Sequence, residues 1–299
     1  MTKKALFIYN PRAGKAMIRS RLSDILERLE LGGYETVVRP TTKRGDACDY
    51  VRGCAPETEL VVCGGGDGTL DEVVTGMLGS GRNIPIGYVP AGSTNDFGIS
   101  LRLPKNMLRA AEIAVTGRNF PCDVGAFNED VFVYIAAFGL FTEVSYETDQ
   151  DVKNVLGHMA YLLEGVKRLS SIRSYPLKVC YEGQVVEDEF IFGMITNSVS
   201  VGGFKQITGK NVMLDDGVFE VTLIRRPGNP KELNAVVAAM LNRDINAECM
   251  LYFRTGHLTI ESREPIAWTL DGEFGGCHER VTVRNRHKAI TMRVKRNGG

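Results

Sequence analysis

The chain has 299 residues, 43% of them hydrophobic and 24% charged, which suits a folded protein of about two domains and excludes a disordered chain. Lys and Arg number 36, and so do Asp and Glu, so the net charge is zero and wholesale nucleic-acid binding, which needs a basic excess, is excluded. Seven cysteines without a C-x-x-C pair argue for a reducing cytoplasm, and no apolar run is long enough for a signal-peptide core or a membrane span.

Residues 5–9 form a continuous apolar run, as in a strand covered on both faces. Ile18, Leu22, Ile25 and Leu29 follow at helical spacing, with Gly32-Gly33 as the stop. Strands are then expected at 36–38, 60–63 and 84–89. Helices are expected around Leu70, Val73, Val74 and Met77, and over 107–115. Repeated β-α units imply an α/β fold with a mostly parallel, doubly wound sheet. Beyond Asp123 strand-like runs dominate, at 131–137, 177–181, 190–196, 218–224, 258–261, 267–270, 281–283 and 289–294. Turns such as Glu182-Gly183 and Asp216-Gly217 separate them. This texture reads as an antiparallel β-sandwich, interrupted by helices near 158–170 and 231–240. The expected division is an α/β domain over 1–123 and a β-sandwich domain over 124–284.

The most informative stretch is Gly64-Gly65-Gly66-Asp67-Gly68-Thr69, which ends a buried strand and opens a helix. Glycines let a backbone approach phosphate and adopt positive φ, and a helix start offers free N–H groups. Asp67 suits a phosphate-bound Mg²⁺ better than bare phosphate. Two further loops follow strands at the edge where open α/β sheets bind ligands. In the first, Asn10 and the backbone of Arg12 to Gly14 are placed to contact phosphate, with Arg12 or Lys15 supplying charge. In the second, Ser93 can bond phosphate or ribose and Asp96 adds an acid, although these residues also suit a helix cap.

With these residues in place, the sequence resembles the diacylglycerol kinase catalytic superfamily, which includes bacterial soluble diacylglycerol kinases, YegS-like lipid kinases and sphingosine kinases. Five elements carry the resemblance, in family order. They are N-P-x-x-G-K at 10–15, GGDGT-x-x-E at 65–72, P-x-G-(S/T)-x-N-D-F at 90–97, L-D-D-G at 214–217 and D-G-E at 271–273. Residues 197–204, NSVSVGGF, look closest to the bacterial soluble enzymes. Asp71 stands where the family usually has Asn.

The resemblance implies an α/β nucleotide domain, to which residues from about 285 return, and a β-sandwich lipid domain. It implies ATP and Mg²⁺ as cofactors and a lipid such as diacylglycerol as acceptor. Nucleotide contacts fall on Asn10, Pro11, Arg12, Ala13, Gly14, Thr41, Gly65, Gly66, Asp67, Gly68, Thr69, Leu70, Asp71 and Ser93. Asp96 is a substrate-side acid, Lys15 a cation, and Asp123 joins an Asp–water–Mg²⁺ network; by itself Asp123 reads as a solvated linker acid. A structural Mg²⁺ falls on Asp216 with backbone carbonyls near Met213 and Val218, and paired acids at a turn suit such a hard cation. Glu273, with Asp67 beside the nucleotide, completes the catalytic set. A placed carboxylate can take the proton of an attacking lipid hydroxyl, with Asp271 as the rival base. Other readings are a sphingoid-base or NAD kinase, or a non-catalytic lipid- or nucleotide-binding protein.

The four histidines share no metal spacing and read as structural. Residues 280–299 hold seven basic groups and no acid, which reads as a solvated strand face before it reads as an anion patch. Residues 158–178 carry apolar positions at helical spacing with Lys167, Arg168, Arg173 and Lys178 among or just beyond them. They read first as a packed helix, then as a basic contact with anionic lipid. The expected location is cytoplasmic with reversible visits to a membrane surface; a homodimer is left open.

Overall fold

The computed structural model describes residues 2–14, 16–139, 172–201, 204–205, 212–242 and 248–296. The chain divides into two compact units, Met1–Asp123 with His287–Gly299, and Val124–Arg286.

The first unit contains β1 (Lys3–Tyr9), α1 (Met17–Ser20), α2 (Leu22–Leu31), β2 (Tyr34–Pro40), α3 (Asp46–Arg52) and β3 (Thr58–Gly65). It continues with α4 (Asp67–Gly79), β4 (Ile86–Pro90), α5 (Asp96–Ser100), α6 (Met107–Thr116) and the first part of β5 (Arg118–Phe127). Strands β2, β1, β3 and β4 lie side by side, all parallel, and Met292 of a late strand pairs in parallel with Ile86 beyond β4. Ala5, Phe7, Leu60, Val62 and Val89 form one apolar face, packed by Ile18, Ile25, Leu29 and the alanines Ala110, Ala111 and Ala114. Small residues bring α6 close. A Cβ at Gly87 would lie 2.4 Å from that of Ala114. The single helix expected from Ile18 to Leu29 breaks at Arg21 (φ −111°), where the Ser20 hydroxyl donates to the Met17 carbonyl at 2.8 Å and competes with the helix ladder.

The second unit holds the rest of β5, then β6 (Asp130–Phe132), β7 (Ile135–Gly139), β8 (Tyr175–Tyr181), β9 (Gln184–Thr196), β10 (Ser200–Val201) and β11 (Phe204–Lys205). After these come β12 (Phe219–Arg225), α7 (Pro230–Asn242), β13 (Met250–Thr255), β14 (His257–Leu270) and β15 (Glu273–Val294), whose residues from His287 on belong to the first unit. Within this unit the described pairings are antiparallel, and the long strands β9 and β14 each pair with both β7 and β8. Their inner faces bury Trp268, Phe127, Phe138, Phe190 and Phe219 in one core. The runs expected at 258–261 and 267–270 are one strand with register shifts between them, and 281–283 and 289–294 also belong to one strand, β15. The run expected at 131–137 instead splits into β6 and β7. The Asp271 carboxylate accepts the N–H groups of Val133, Tyr134 and Ile135, which the ladder would otherwise use.

The helix expected near 158–170 lies outside the described residues, while Arg173 and Lys178 beyond it are described and Lys178 sits on β8. Among the described residues no helix is long and apolar enough to cross a membrane, and none of the seven cysteines is in a disulfide.

Candidate functional site

Three loops meet at the carboxyl ends of β1, β3 and β4 in the first unit. Parallel strands bring them there, and backbone bonds hold them: Asn10 N–H donates to the Gly64 carbonyl at 2.8 Å, and Ala91 N–H to Gly65 at 2.7 Å. No side chain separates them. A Cβ on Gly92 would lie 2.6 Å from the Gly66 Cα, and one on Gly14 would lie 2.2 Å from the Ala91 carbonyl oxygen. Gly14 has φ +56°, but Gly64, Gly65, Gly66 and Gly68 have none of the positive φ expected of that loop. Gly66 is extended, at φ −90° and ψ −173°. Its lack of a side chain serves close approach, not backbone conformation.

Asp67 begins α4, and Thr69 N–H and Leu70 N–H both donate to the Gly66 carbonyl at 3.1 Å. The Asp67 Oδ2 accepts from the Thr94 hydroxyl and from the Asp96 N–H, each at 3.2 Å. Asp96 is fully buried and Ser93 is exposed. Asn95 holds their loop: its Oδ1 accepts from Gly92 N–H (2.8 Å) and Tyr88 hydroxyl (3.2 Å), and its Nδ2 donates to the Gly92 carbonyl (2.7 Å). Asn95 caps α5 at φ +54° without a side-chain bond to the helix, so the cap expected there is made by backbone shape. Burial, then the nearby Asp67, keeps the Tyr88 phenol protonated well above its ordinary range. Asn10 Oδ1 accepts from Arg12 N–H at 2.9 Å, so this side chain builds its own turn. Pro11 and Ala13 lie in the first loop, half-buried Asp71 lies in the first turns of α4, and Lys15 lies outside the described residues.

Sequence reasoning missed two carboxylates beside Thr41. Thr41 N–H donates to the Tyr9 carbonyl at 2.9 Å. Asp46 Oδ2 then accepts the N–H and hydroxyl of Thr42, both at 2.7 Å, and the N–H of Lys43 at 3.0 Å. These donors hold the Asp46 carboxyl below its ordinary value. Glu72 accepts Gly45 N–H at 2.9 Å and Ala47 N–H at 3.1 Å. The signal for Glu72 was its fixed place at the end of GGDGT-x-x-E; Asp46 carried none.

In the second unit, Asp271 and Gly272 have φ +50° and +86°, the geometry of a two-residue hairpin turn joining β14 and β15. Asp271 is buried and accepts three backbone N–H groups, whereas Glu273 is exposed. Asp123 is not the solvated acid its position suggested. It is fully buried in the first unit, where Oδ1 accepts Lys288 N–H at 2.7 Å and lies 3.1 Å from His287 Nδ1.

Asp216 Oδ1 accepts Val218 N–H at 3.2 Å, and Oδ2 pairs with the Arg254 guanidinium. Arg254 Nε also reaches Glu220 Oε1 at 3.2 Å. The other Glu220 oxygen is buried without a hydrogen-bond partner, and burial pushes this carboxyl up to about 7. Met213 is exposed. Among the described residues no group of three or more His, Cys, Asp or Glu side chains converges on a metal.

A family model of the diacylglycerol kinase catalytic domain matches residues 4–127. The diacylglycerol kinase of Bacillus subtilis (strain 168) is 32% identical over 276 residues, which are 92% of this chain and 91% of that protein. The diacylglycerol kinase of Staphylococcus carnosus (strain TM300) is 34% identical over 278 residues, 92% of this chain and 90% of that protein. The crystal structure of a diacylglycerol kinase from Bacillus anthracis str. Sterne covers 98% of this chain and 97% of its own with a TM-score of 0.78 at 24% identity, a shared fold. A second solved chain from that organism has a TM-score of 0.84 at 26% identity, covering 98% of this chain and 95% of its own. The chain belongs to the diacylglycerol kinase family, whose members are ATP-dependent lipid kinases.

Proposed function

We propose that this protein transfers the γ-phosphoryl group of ATP to the hydroxyl of diacylglycerol or a related lipid, giving phosphatidic acid. The carrying observation is the bare-backbone meeting of three loops at the strand ends of the first unit, next to Asp67. Only a ligand that wants N–H donors and close approach suits such a place, and a nucleotide phosphate chain does.

In this reading residues 10–14, Thr41, residues 65–71 and Ser93 hold the nucleotide, and Lys15 adds charge. Asp67 is held by two donors with its acid beside the phosphates, where it suits the Mg²⁺ that accompanies ATP and neutralises phosphate charge. Asp96 and Asp123 orient groups around the transfer. Glu273 takes the proton as the lipid hydroxyl attacks. The first unit is the nucleotide domain and the second the lipid domain, in a cytoplasmic protein that visits the membrane surface reversibly.

A structural Mg²⁺ on Asp216, with the carbonyls of Met213 and Val218, is a separable reading. Its support is the buried, unpartnered oxygen of Glu220 beside the Asp216–Arg254 pair: a buried acceptor is costly until a proton or a cation meets it.

The substrate is tested with γ-labelled ATP against diacylglycerol, monoacylglycerol, phosphatidylglycerol, a sphingoid base and NAD. Diacylglycerol should carry the label. Label on the sphingoid base or NAD overturns the acceptor, and ATP binding with no transfer to any of them overturns the enzyme.

A further inference from the structure

We propose that Glu72 is a positioning residue for ATP: it locks the loop 41–45 to the helix that begins at Asp67, and so fixes two walls of the nucleotide site at one spacing. The inference rests on the nucleotide reading of that strand edge.

The sequence places Glu72 on α4, just past the glycine loop. Its two carboxylate oxygens reach across to α3 and accept Gly45 N–H at 2.9 Å and Ala47 N–H at 3.1 Å. Gly45 is the residue before α3, at φ +89°, so Glu72 takes donors that an N-terminal cap would otherwise have to satisfy. No side chain intervenes between the two helices at Gly76, where a Cβ would lie 2.6 Å from the Cys48 carbonyl oxygen. From α3 the linkage continues. Asp46, at the first position of that helix, takes two bonds from Thr42 and one from Lys43. Thr41 is anchored to β1 by its own N–H. The loop is therefore fixed at β1, at α3 and, through α3, at α4.

A single carboxylate holding two helices is common structural work, so stability alone does not test the idea. What distinguishes positioning is a selective loss. With Glu72 removed, the Thr41 wall moves relative to Asp67, and affinity for ATP falls while turnover at saturating ATP and the KM for lipid hold. Charge-assisted bonds of this kind couple sites by factors of about ten.

The experiment uses the full chain and measures ATP Kd by calorimetry, KM for ATP and for lipid, kcat and Tm. The variants are Glu72→Ala, Glu72→Gln, Gly92→Ala and Arg82→Ala. Arg82 donates to the carbonyls of Cys54, Ala55, Pro56 and Thr58, before β3 and at its first residue, and serves as a destabilising control in the same unit. Glu72→Ala should raise ATP Kd and KM about ten-fold with kcat near wild type. Glu72→Gln, which keeps one acceptor oxygen, should fall between, and it decides the matter if the alanine variant does not fold. Arg82→Ala should lower Tm without moving ATP Kd. Unchanged ATP Kd in both Glu72 variants overturns the proposal, as does an equal shift in Arg82→Ala. Gly92→Ala separates the two levels: if it too leaves ATP Kd unchanged, the nucleotide reading of this edge falls; if it abolishes binding while both Glu72 variants leave ATP Kd at the wild-type value, only the positioning role falls.

Discussion

Replacing Asp271 by alanine removes the acceptor of three backbone N–H groups at once. Val133, Tyr134 and Ile135 donate to it at 2.5, 2.9 and 2.9 Å. These residues are 1%, 7% and 8% exposed and Asp271 is 6% exposed, so water cannot readily replace the carboxylate. A buried donor left unsatisfied costs about 1–3 kcal/mol, which puts the three together at roughly 3–6 kcal/mol after partial hydration of the bend. Alanine at φ +50° adds about 1 kcal/mol of backbone strain. Against a total stability of about 5–15 kcal/mol the variant would be marginal. Asp271→Asn is the finer probe. Asn tolerates the left-handed turn, and its amide oxygen can still accept from Tyr134 and Ile135, but its NH₂ group would face the Val133 N–H. The expected cost is about 2 kcal/mol. Urea unfolding followed by Trp268, the single tryptophan and only 1% exposed, reads the second unit directly. Turnover per folded molecule should stay near wild type. A midpoint equal to wild type refutes the hydrogen-bond argument. A variant that is fully stable yet inactive makes Asp271, not Glu273, the proton acceptor.

Glu273→Gln should lower turnover by roughly 10²–10⁴-fold while ATP still binds, and near-normal turnover would remove the general-base assignment. Asp46 gives a pH signature. Its folded pKa lies below the ordinary value because Thr42 and Lys43 donate to the carboxylate, so its stabilisation is present above the unfolded pKa and is lost as pH falls through the folded one. The stability gap between wild type and Asp46→Asn should therefore close on acidification; a gap independent of pH in urea titrations contradicts this. For the separable Mg²⁺ site, a chelator should lower the wild-type Tm and leave Asp216→Ala, already less stable, unmoved. A wild-type melting curve indifferent to chelator and to added Mg²⁺ rules the site out.

The parallel core was legible because its strands are continuous apolar runs: 5–9 and 60–63 both lie inside the strands they predicted. The short α3 was not, because DACDYVR offers only Ala47, Cys48 and Val51 as an apolar face, too short a stripe to read, and its start is held by Glu72, a partner 27 residues from Gly45. β5 was hidden by Pro121, Asp123 and Gly125 within its ten residues. The glycine loop announced itself by composition, but the reason for its glycines did not. Positive φ is a property one residue can advertise, whereas the approach of Gly66 to Gly92 is a tertiary fact. The burial of Asp123 was equally invisible, since its partners His287 and Lys288 lie far along the chain.

The last long strand has a consequence for how the protein is made. The first unit is split in sequence: its sheet is finished beside β4 by residues of β15, with Met292 against Ile86, and Ile290 and Met292 are wholly buried. A ribosome that has made residues up to Asp123 has therefore not yet made a complete first unit. Until residues near 292 emerge, β4 is a sheet edge with unpaired N–H and C=O groups, beside apolar side chains that the finished sheet covers. The second unit, continuous from Val124 to Arg286, can close first. A fragment ending at Asp123 should show that open edge as self-association, and supplying residues 287–296 as a separate peptide should relieve it.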